Sequence, residues 1–377
     1  CTRSDTMAKV TKAGFDGGST VPKPTKEQLT DRQLEDYAEH RVRLISWMEN
    51  LGKSPEQGEG YAQDTVNGRA YRLDAFYRFV WEEEGRYTTQ VTHNHADEWM
   101  RKLAYGDTSQ ENKASHLKAV KMLFRWRARE FGGEEWESEI NFSTNSGQTN
   151  PKDYLTQEER QRIRDASLEY GGVPNYNGLT PDERDHWKAH LAQRFEKPKR
   201  DIGPDDFARA NSWKIPSLIW AALDTGLRPV EVKRAKKQWV DVQNKVLRIP
   251  KEDSSKNYNN WTVSLTERTA NALGRWLAER EQYAKYDGRD ELWLNRIGNP
   301  YQYYSLNRIF RDICEDASIP SEGRTFYAIR HSLATYMTRE EGLAAAQAQM
   351  RHKSQVSTMR YDQAPVEDRR EALDRMG

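Results

Sequence analysis

The chain has 377 residues and a mass of 44.0 kDa, enough for two or three domains each with its own core. Its 59 Lys and Arg against 58 Asp and Glu leave a formal charge of +1, which excludes a uniformly basic nucleic-acid coat and a strongly acidic solvating chain but permits a local basic surface. A mean hydropathy of −1.02 would suit disorder, yet 12 Trp, 18 Tyr and 10 Phe supply large apolar side chains, so the chain reads as a hydrophilic, helix-rich folded protein.

Residues 1–25 are Gly, Ser, Thr, Pro and Lys without a period, and a flexible tail is expected there. Helical patterning follows: Leu34, Ala38, Val42, Ile45 and Met48 recur at three- and four-residue steps, and further helices are predicted over 64–84, 95–105 and 110–131. Residues 26–135 are thus expected to form an all-α domain. The helix over 110–131 is rich in cations, among them Lys113, Lys118, Lys121 and Arg125, and is the candidate DNA-facing helix, although a basic solvated face would look the same. Residues 136–150 turn to Ser, Asn, Thr, Gly and Gln and are read as a linker.

The remaining domain, 151–377, opens with Leu155-Thr156-Gln157-Glu158-Glu159, an N-cap followed by acids in the first turn. Helices are predicted near 157–170, 181–195 and 205–224. The period then changes to two, giving three short strands at 240–242, 246–249 and 261–265, and helices return at 266–284, 304–317, 325–340 and 342–352. The fold class is mainly α with a small antiparallel β-sheet.

Cys1 and Cys314 supply neither a disulfide framework nor a CxxC half-site. His186 and His190 share a helix face, but Trp187 stands where a zinc protease motif needs Glu, so no metal and no cofactor are expected. No apolar run of about 18 residues appears, and the first residues lack a charged-then-apolar leader, so a reduced cytoplasmic setting away from membranes is expected.

Three separated segments carry chemistry. In Thr225-Gly226-Leu227-Arg228-Pro229-Val230-Glu231, Gly226 permits a tight turn and Pro229 suits the first position of a helix, which puts Arg228 beside free helix N–H groups, a place suited to a phosphate. In Tyr327-Ala328-Ile329-Arg330-His331, Tyr327, Arg330 and His331 share one helix face. Met350-Arg351-His352-Lys353-Ser354 is followed by Tyr361, nine residues after His352. Each alone is ordinary structure.

Together, in order and spacing, they resemble the tyrosine recombinase (phage integrase) family, with its TGLR-x-x-E, HxxR and GH-S boxes and a tyrosine nine residues after the last His. The resemblance covers roughly residues 26–377 and implies an all-α SAM-like core-binding domain, an α+β catalytic domain, and a clamp of the two around duplex DNA. It implies a site-specific recombinase: Arg228 and Arg330 hold the non-bridging phosphate oxygens, Tyr361 attacks phosphorus to give a 3′-phosphotyrosyl link, and His352 hydrogen-bonds the phosphate. The family's proton donor to the leaving oxygen is a Lys on the turn between the second and third strands, here Lys251 or Lys256. Double-stranded DNA at specific sites, and a homotetramer on synapsed DNA, are the implied partners.

The sequence departs from the family twice. Tyr327 stands where the HxxR box has His, and Arg351 replaces the glycine of the GH box, which puts the local geometry in question. His331 is read as a buttress for Arg330. The stretch 164–212 exceeds a minimal catalytic domain and looks similar to integrases of archaeal proviruses and plasmids. A type IB topoisomerase-like relaxing enzyme and a DNA-binding regulator with a decayed site are the alternatives.

Overall fold

The structure, a computed structural model, describes residues 20–143, 154–254, 259–359, 361, 370 and 373–376. The chain divides into two compact units, Cys1–Thr149 and Asn150–Gly377.

The first unit is built from α1 (Asp31–Asn50), α2 (Gln63–Glu84), α3 (His93–Tyr105) and α4 (Gln110–Phe131). Polar residues set three of their starts: Thr30, Thr92 and Ser109 each accept from the backbone N–H three residues on, and Gln33 and His95 close capping boxes. The core is aromatic, with Tyr37, Phe76, Tyr77 and Trp126 fully enclosed.

One buried carboxylate organises that core. Asp74 accepts from the Thr25 hydroxyl (2.7 Å) and the Tyr37 hydroxyl (3.2 Å) and lies 3.5 Å from Arg41. Arg41 in turn donates to the carbonyls of Thr20 (2.6 Å) and Ala70 (3.0 Å). These bonds draw in the end of the expected tail: Val21 and Thr25 are buried, and Lys23–Lys26 forms a helical turn. The partners are distant in sequence, so composition did not reveal them. Residues 1–19 lie outside the described residues. The described part of the expected linker is also packed: Trp136 is buried against Phe124, its Nε1 donates to Asp97 (3.0 Å), and Ile140 and Phe142 follow it onto the core.

In the second unit α5 (Gln157–Glu169) starts at a Thr156–Glu159 capping box, and α6 spans Pro181–Arg194. Helix α7 (Lys214–Thr225) is central, buried from Ile215 through Thr225, and leads into the short α8 (Pro229–Arg234). The sheet is antiparallel in the order β1 (Val240–Asp241), β2 (Val246–Ile249), β3 (Trp261–Ser264), with Leu247 opposite Val263. Leu247, Ile249 and Val263 face the core while Arg248 and Thr262 are exposed, the alternation that the period of two predicts. Helices α9 (Glu267–Arg280), α10 (Tyr303–Asp316), α11 (Tyr327–Met350) and α12 (Gln355–Met359) complete the unit, α11 breaking at Gly342 (φ 82°).

The helix predicted over 205–224 is two pieces, Pro204–Ala208 and α7. Between them the backbone leaves the helix to pair with residues 171–173, and the buried Glu279 carboxylate caps α7 from a distance, accepting from the Ser212 hydroxyl and the Trp213 N–H (2.8 Å). The stretch 164–212 has its own small core of Val173, Trp187, Leu191, Ile202, Phe207 and Ala210.

Replacing Asp74 with Ala leaves Arg41 buried without its carboxylate, which costs about 3 kcal/mol. Urea denaturation of the full chain is expected to show a loss of that order, whereas Arg78→Ala, on the more exposed partner of Asp74, is expected to cost under about 1 kcal/mol.

Candidate active site

The site is built on the turn at the end of α7. Gly226 closes the helix at φ 59°, and a Cβ there would lie 3.1 Å from the Met350 sulfur and 3.3 Å from Leu333, so both the backbone sign and the space require glycine. Arg228 then caps α8. The Glu231 carboxylate reaches back to accept from the Arg228 N–H (2.8 Å) and from its guanidinium (3.2 Å). The arginine at the helix start is thereby tied to the glutamate three residues on.

Arg330, on α11, is buried. Its guanidinium donates to the Gly226 carbonyl, to the Met350 carbonyl (2.6 Å) and to His352 Nε2 (2.9 Å). A guanidinium has only donors, so His352 Nε2 is an acceptor, the ring proton sits on Nδ1, and Nδ1 donates to the Thr358 hydroxyl (2.9 Å). Burial, reinforced by the neighbouring charges of Arg228 and Arg351, pushes the Arg330 pKa down to about 9.

Arg351 answers the question raised by the missing glycine. It adopts the left-handed conformation (φ 55°, ψ 47°) that the glycine would supply, and its buried side chain returns bonds that offset the strain. Its guanidinium pairs with Glu231 (2.8 Å) and donates to the carbonyls of Thr225 (2.7 Å), Gln349 (3.0 Å) and Gly226 (3.2 Å). Burial alone would raise the Glu231 carboxyl, but Arg351 and Arg228 outweigh it and hold that carboxyl well below the usual carboxylate range.

Tyr361 stacks on His352, ring centroids 6.0 Å apart and planes at 14°, and its hydroxyl is 3.0 Å from His331 Nδ1. His331 is also stacked by Tyr327 at 6.1 Å, as the shared helix face predicted. Burial raises the Tyr327 phenol against the lowering by Arg228 and Arg330, so it is a neutral hydroxyl near pH 7. The structure therefore brings Arg228, Arg330, His352, Tyr327 and Tyr361 to one place.

Lys251 is not among them. It stands exposed at the start of the β2–β3 turn, where its N–H donates to Asn260 (2.8 Å), and its ammonium has no hydrogen bond or ion pair among the described residues. Lys256 lies outside the described residues. Three residues at the site were given no role, or a lesser one, by the sequence: Glu231, Arg351 and His331. The usable signals were the carboxylate three residues after Arg228 and the position of His331 one turn beyond Tyr327.

The basic helix needs a correction. Lys113 is buried, with Nζ donating to the Ala104 carbonyl at the end of α3 (3.0 Å), and Arg125 donates to the Gly52 carbonyl and the Tyr61 hydroxyl (2.9 Å). Both are internal caps, because cations complete helix ends that lack donors. Lys121 pairs with Glu137 (2.6 Å), and Lys118 is exposed. No helix among the described residues is long and apolar enough to cross a membrane, and no group of three or more His, Cys, Asp or Glu among them could hold a metal ion.

Residues 206–367 match the model of the Phage integrase family. No curated protein matches the chain. Among solved structures, the fold is similar to that of XerH site-specific recombinase bound to palindromic difH substrate in a post-cleavage complex, at 16% identity and a TM-score of 0.56 over 97% of this chain and 92% of that one. It is also similar to the Tn1549 transposon integrase in complex with transposon right end DNA, at 15% identity and a TM-score of 0.53 over 89% and 98%. The likeness is one of fold: a helical unit followed by an α+β unit, the second of which lays a tyrosine against a buried arginine–histidine pair. The matched segment, residues 206–367, holds Arg228, Arg330, His352 and Tyr361, and is similar to the phage integrase family, the tyrosine recombinases.

Two predictions follow from the Glu231 pair. Arg351→Ala leaves a buried carboxylate short of its main partner and is expected to lower stability by about 3–5 kcal/mol in urea denaturation. The folded-state pKa of Glu231 lies below its unfolded value, so its contribution is complete above about pH 4.3 and is lost as pH falls further. The stability gap between wild type and Glu231→Gln is therefore expected to be constant from pH 7 to 5 and to narrow toward pH 3.

Proposed function

We propose that the protein is a site-specific recombinase in which Tyr361 is the nucleophile. The observation that carries this is the stacking of Tyr361 on His352 while His352 accepts from Arg330, three residues from separate boxes on one hydrogen-bonded frame. A phosphodiester resists attack because its oxygens are negative and gain charge in the transition state. Arg228 and Arg330 supply fixed positive charge for the two non-bridging oxygens. His352 holds the Arg330 guanidinium in place, and the neutral Tyr327 hydroxyl aligns the phosphate. The tyrosine oxygen bonds to phosphorus, the bond from phosphorus to the 5′-oxygen breaks, and Lys251, or Lys256, gives that oxygen its proton. The phosphotyrosyl link conserves the ester bond, so a 5′-hydroxyl of another strand reverses the step without external energy.

The helical domain over 26–135 serves in this reading as the core-binding domain, the stretch 136–150 joins it to the catalytic domain over 151–377, and Lys118 and Lys121 contact phosphates. Exchange between two duplex sites calls for a homotetramer, acting on DNA in the cytoplasm to integrate or excise a mobile element.

On a nicked suicide duplex carrying the target site, wild type is expected to form a covalent adduct. Tyr361→Phe is expected to form none while binding the site normally. Arg228→Ala is expected to slow adduct formation by about 100- to 1,000-fold, since it acts mainly in the transition state. Absence of an adduct from wild type sinks the reading, and relaxed circles without recombinants from two-site DNA would select the topoisomerase alternative.

A further inference from the structure

We propose that His331 is the proton acceptor for Tyr361, replacing the histidine that the HxxR box lacks here. The inference rests on the reading of Tyr361 as nucleophile. It starts from the 3.0 Å contact between the Tyr361 hydroxyl and His331 Nδ1, a distance at which a proton passes directly.

The other site residues already described are unsuited to the task. Tyr327 is a neutral phenol whose pKa burial raises further, so it donates a hydrogen bond and accepts no proton near pH 7. His352 accepts from Arg330 at Nε2 and carries its proton on Nδ1 toward Thr358, and it meets Tyr361 face to face, so neither nitrogen offers a lone pair to the hydroxyl. Arg228 and Arg330 have donors only. His331 meets the hydroxyl with a ring nitrogen, and Tyr327 stacked on the ring at 6.1 Å holds its plane.

The helix explains how the exchange of position works. His331 is four residues after Tyr327, one turn along the same face of α11, so it presents an imidazole beside the tyrosine while the first position of the box carries a phenol. In the step, His331 enters with its proton on Nε2 and Nδ1 unprotonated, accepting from the Tyr361 hydroxyl. The Tyr361 hydroxyl proton moves to Nδ1 as the tyrosine oxygen bonds to phosphorus and the bond to the 5′-oxygen breaks, the leaving oxygen taking its proton from the strand-turn lysine. Religation returns the Nδ1 proton to the tyrosine oxygen.

The test measures single-turnover adduct formation by the full chain on the nicked duplex, with an ordinary scissile phosphate and with a 5′-bridging phosphorothiolate, whose thiolate leaves without a proton. His331→Gln keeps a hydrogen-bonding side chain but cannot take up a proton at neutral pH. His331→Ala opens space for added imidazole. Both are expected to bind the target site within about threefold of wild type and to form adduct about 100-fold more slowly on either linkage. Imidazole is expected to restore part of the His331→Ala rate.

A His331→Gln rate within threefold of wild type overturns the proposal. So does recovery of either variant on the phosphorothiolate, which would move His331 to the leaving group, and so does loss of site binding by both variants, which would make it structural. An unaffected His331 variant beside an active wild type removes this inference alone, whereas an inactive wild type removes the recombinase reading beneath it.

Discussion

The carboxylate of Glu231 is the joint on which the catalytic unit depends. It closes the start of α8 through the Arg228 N–H and holds Arg351 from the far end of α11. Arg351 and Arg330 both donate to the carbonyl of Gly226, so three segments far apart in sequence meet at one turn. Three guanidinium groups gather around one carboxylate, and the excess is positive. The lowered pKa of Arg330 records that imbalance: burial and its cationic neighbours disfavour its charge more than Glu231 supports it. A phosphodiester would supply the missing negative charge, and the charge that develops on its oxygens during attack would supply more. The frame is thus better matched to the reacting phosphate than to the empty site, which is what acceleration by binding requires.

That frame also explains how the chain tolerates two departures from the boxes it resembles. The glycine of the GH box serves the left-handed turn at the end of α11. Arginine can occupy that turn because its guanidinium recovers three carbonyl acceptors and an ion pair. The change exchanges backbone ease for side-chain bonding and leaves His352 where Arg330 reaches it. The loss of histidine at 327 is of another kind. Tyr327 retains a hydrogen-bonding hydroxyl near the arginines and stacks on His331, so the aromatic wall of the site persists while its proton chemistry moves along the helix.

Much of this was legible beforehand. The helices over 110–131 and 157–169, the strand at 246–249 and the gathering of Arg228, Arg330, His352 and Tyr361 all follow from period, capping residues and ordered boxes, because those signals are local or belong to the family. What escaped was set by distant partners. Thr25 looks like a tail residue until Asp74 binds it, Trp136 like a linker residue until Asp97 and Phe124 receive it, and residues 209–213 like helix until Glu279 caps α7 from another element. The role of His331 escaped for the same reason, since only the fold carries Tyr361 back to it.

The basic helix shows why counting charge along a helix misleads about nucleic acid. Lys113 and Arg125 satisfy carbonyls at the ends of α3 and of the loop after α1, Arg129 pairs with Glu56, and Arg127 donates to Thr89 (3.3 Å) and Gln90 (3.0 Å). A cation used as an internal cap has already exchanged its water for protein acceptors and has little left to give a phosphate. Counterion release on DNA binding is governed by cations that remain solvated, which on this helix leaves Lys118 and, through breakable surface pairs, Lys121 and Arg129. The near-neutral sum of 59 and 58 is therefore a poor guide in both directions. It overstates the cations open to the backbone of DNA in the helical unit, and it hides the concentrated positive charge at the turn where Arg228, Arg330 and Arg351 share one acid.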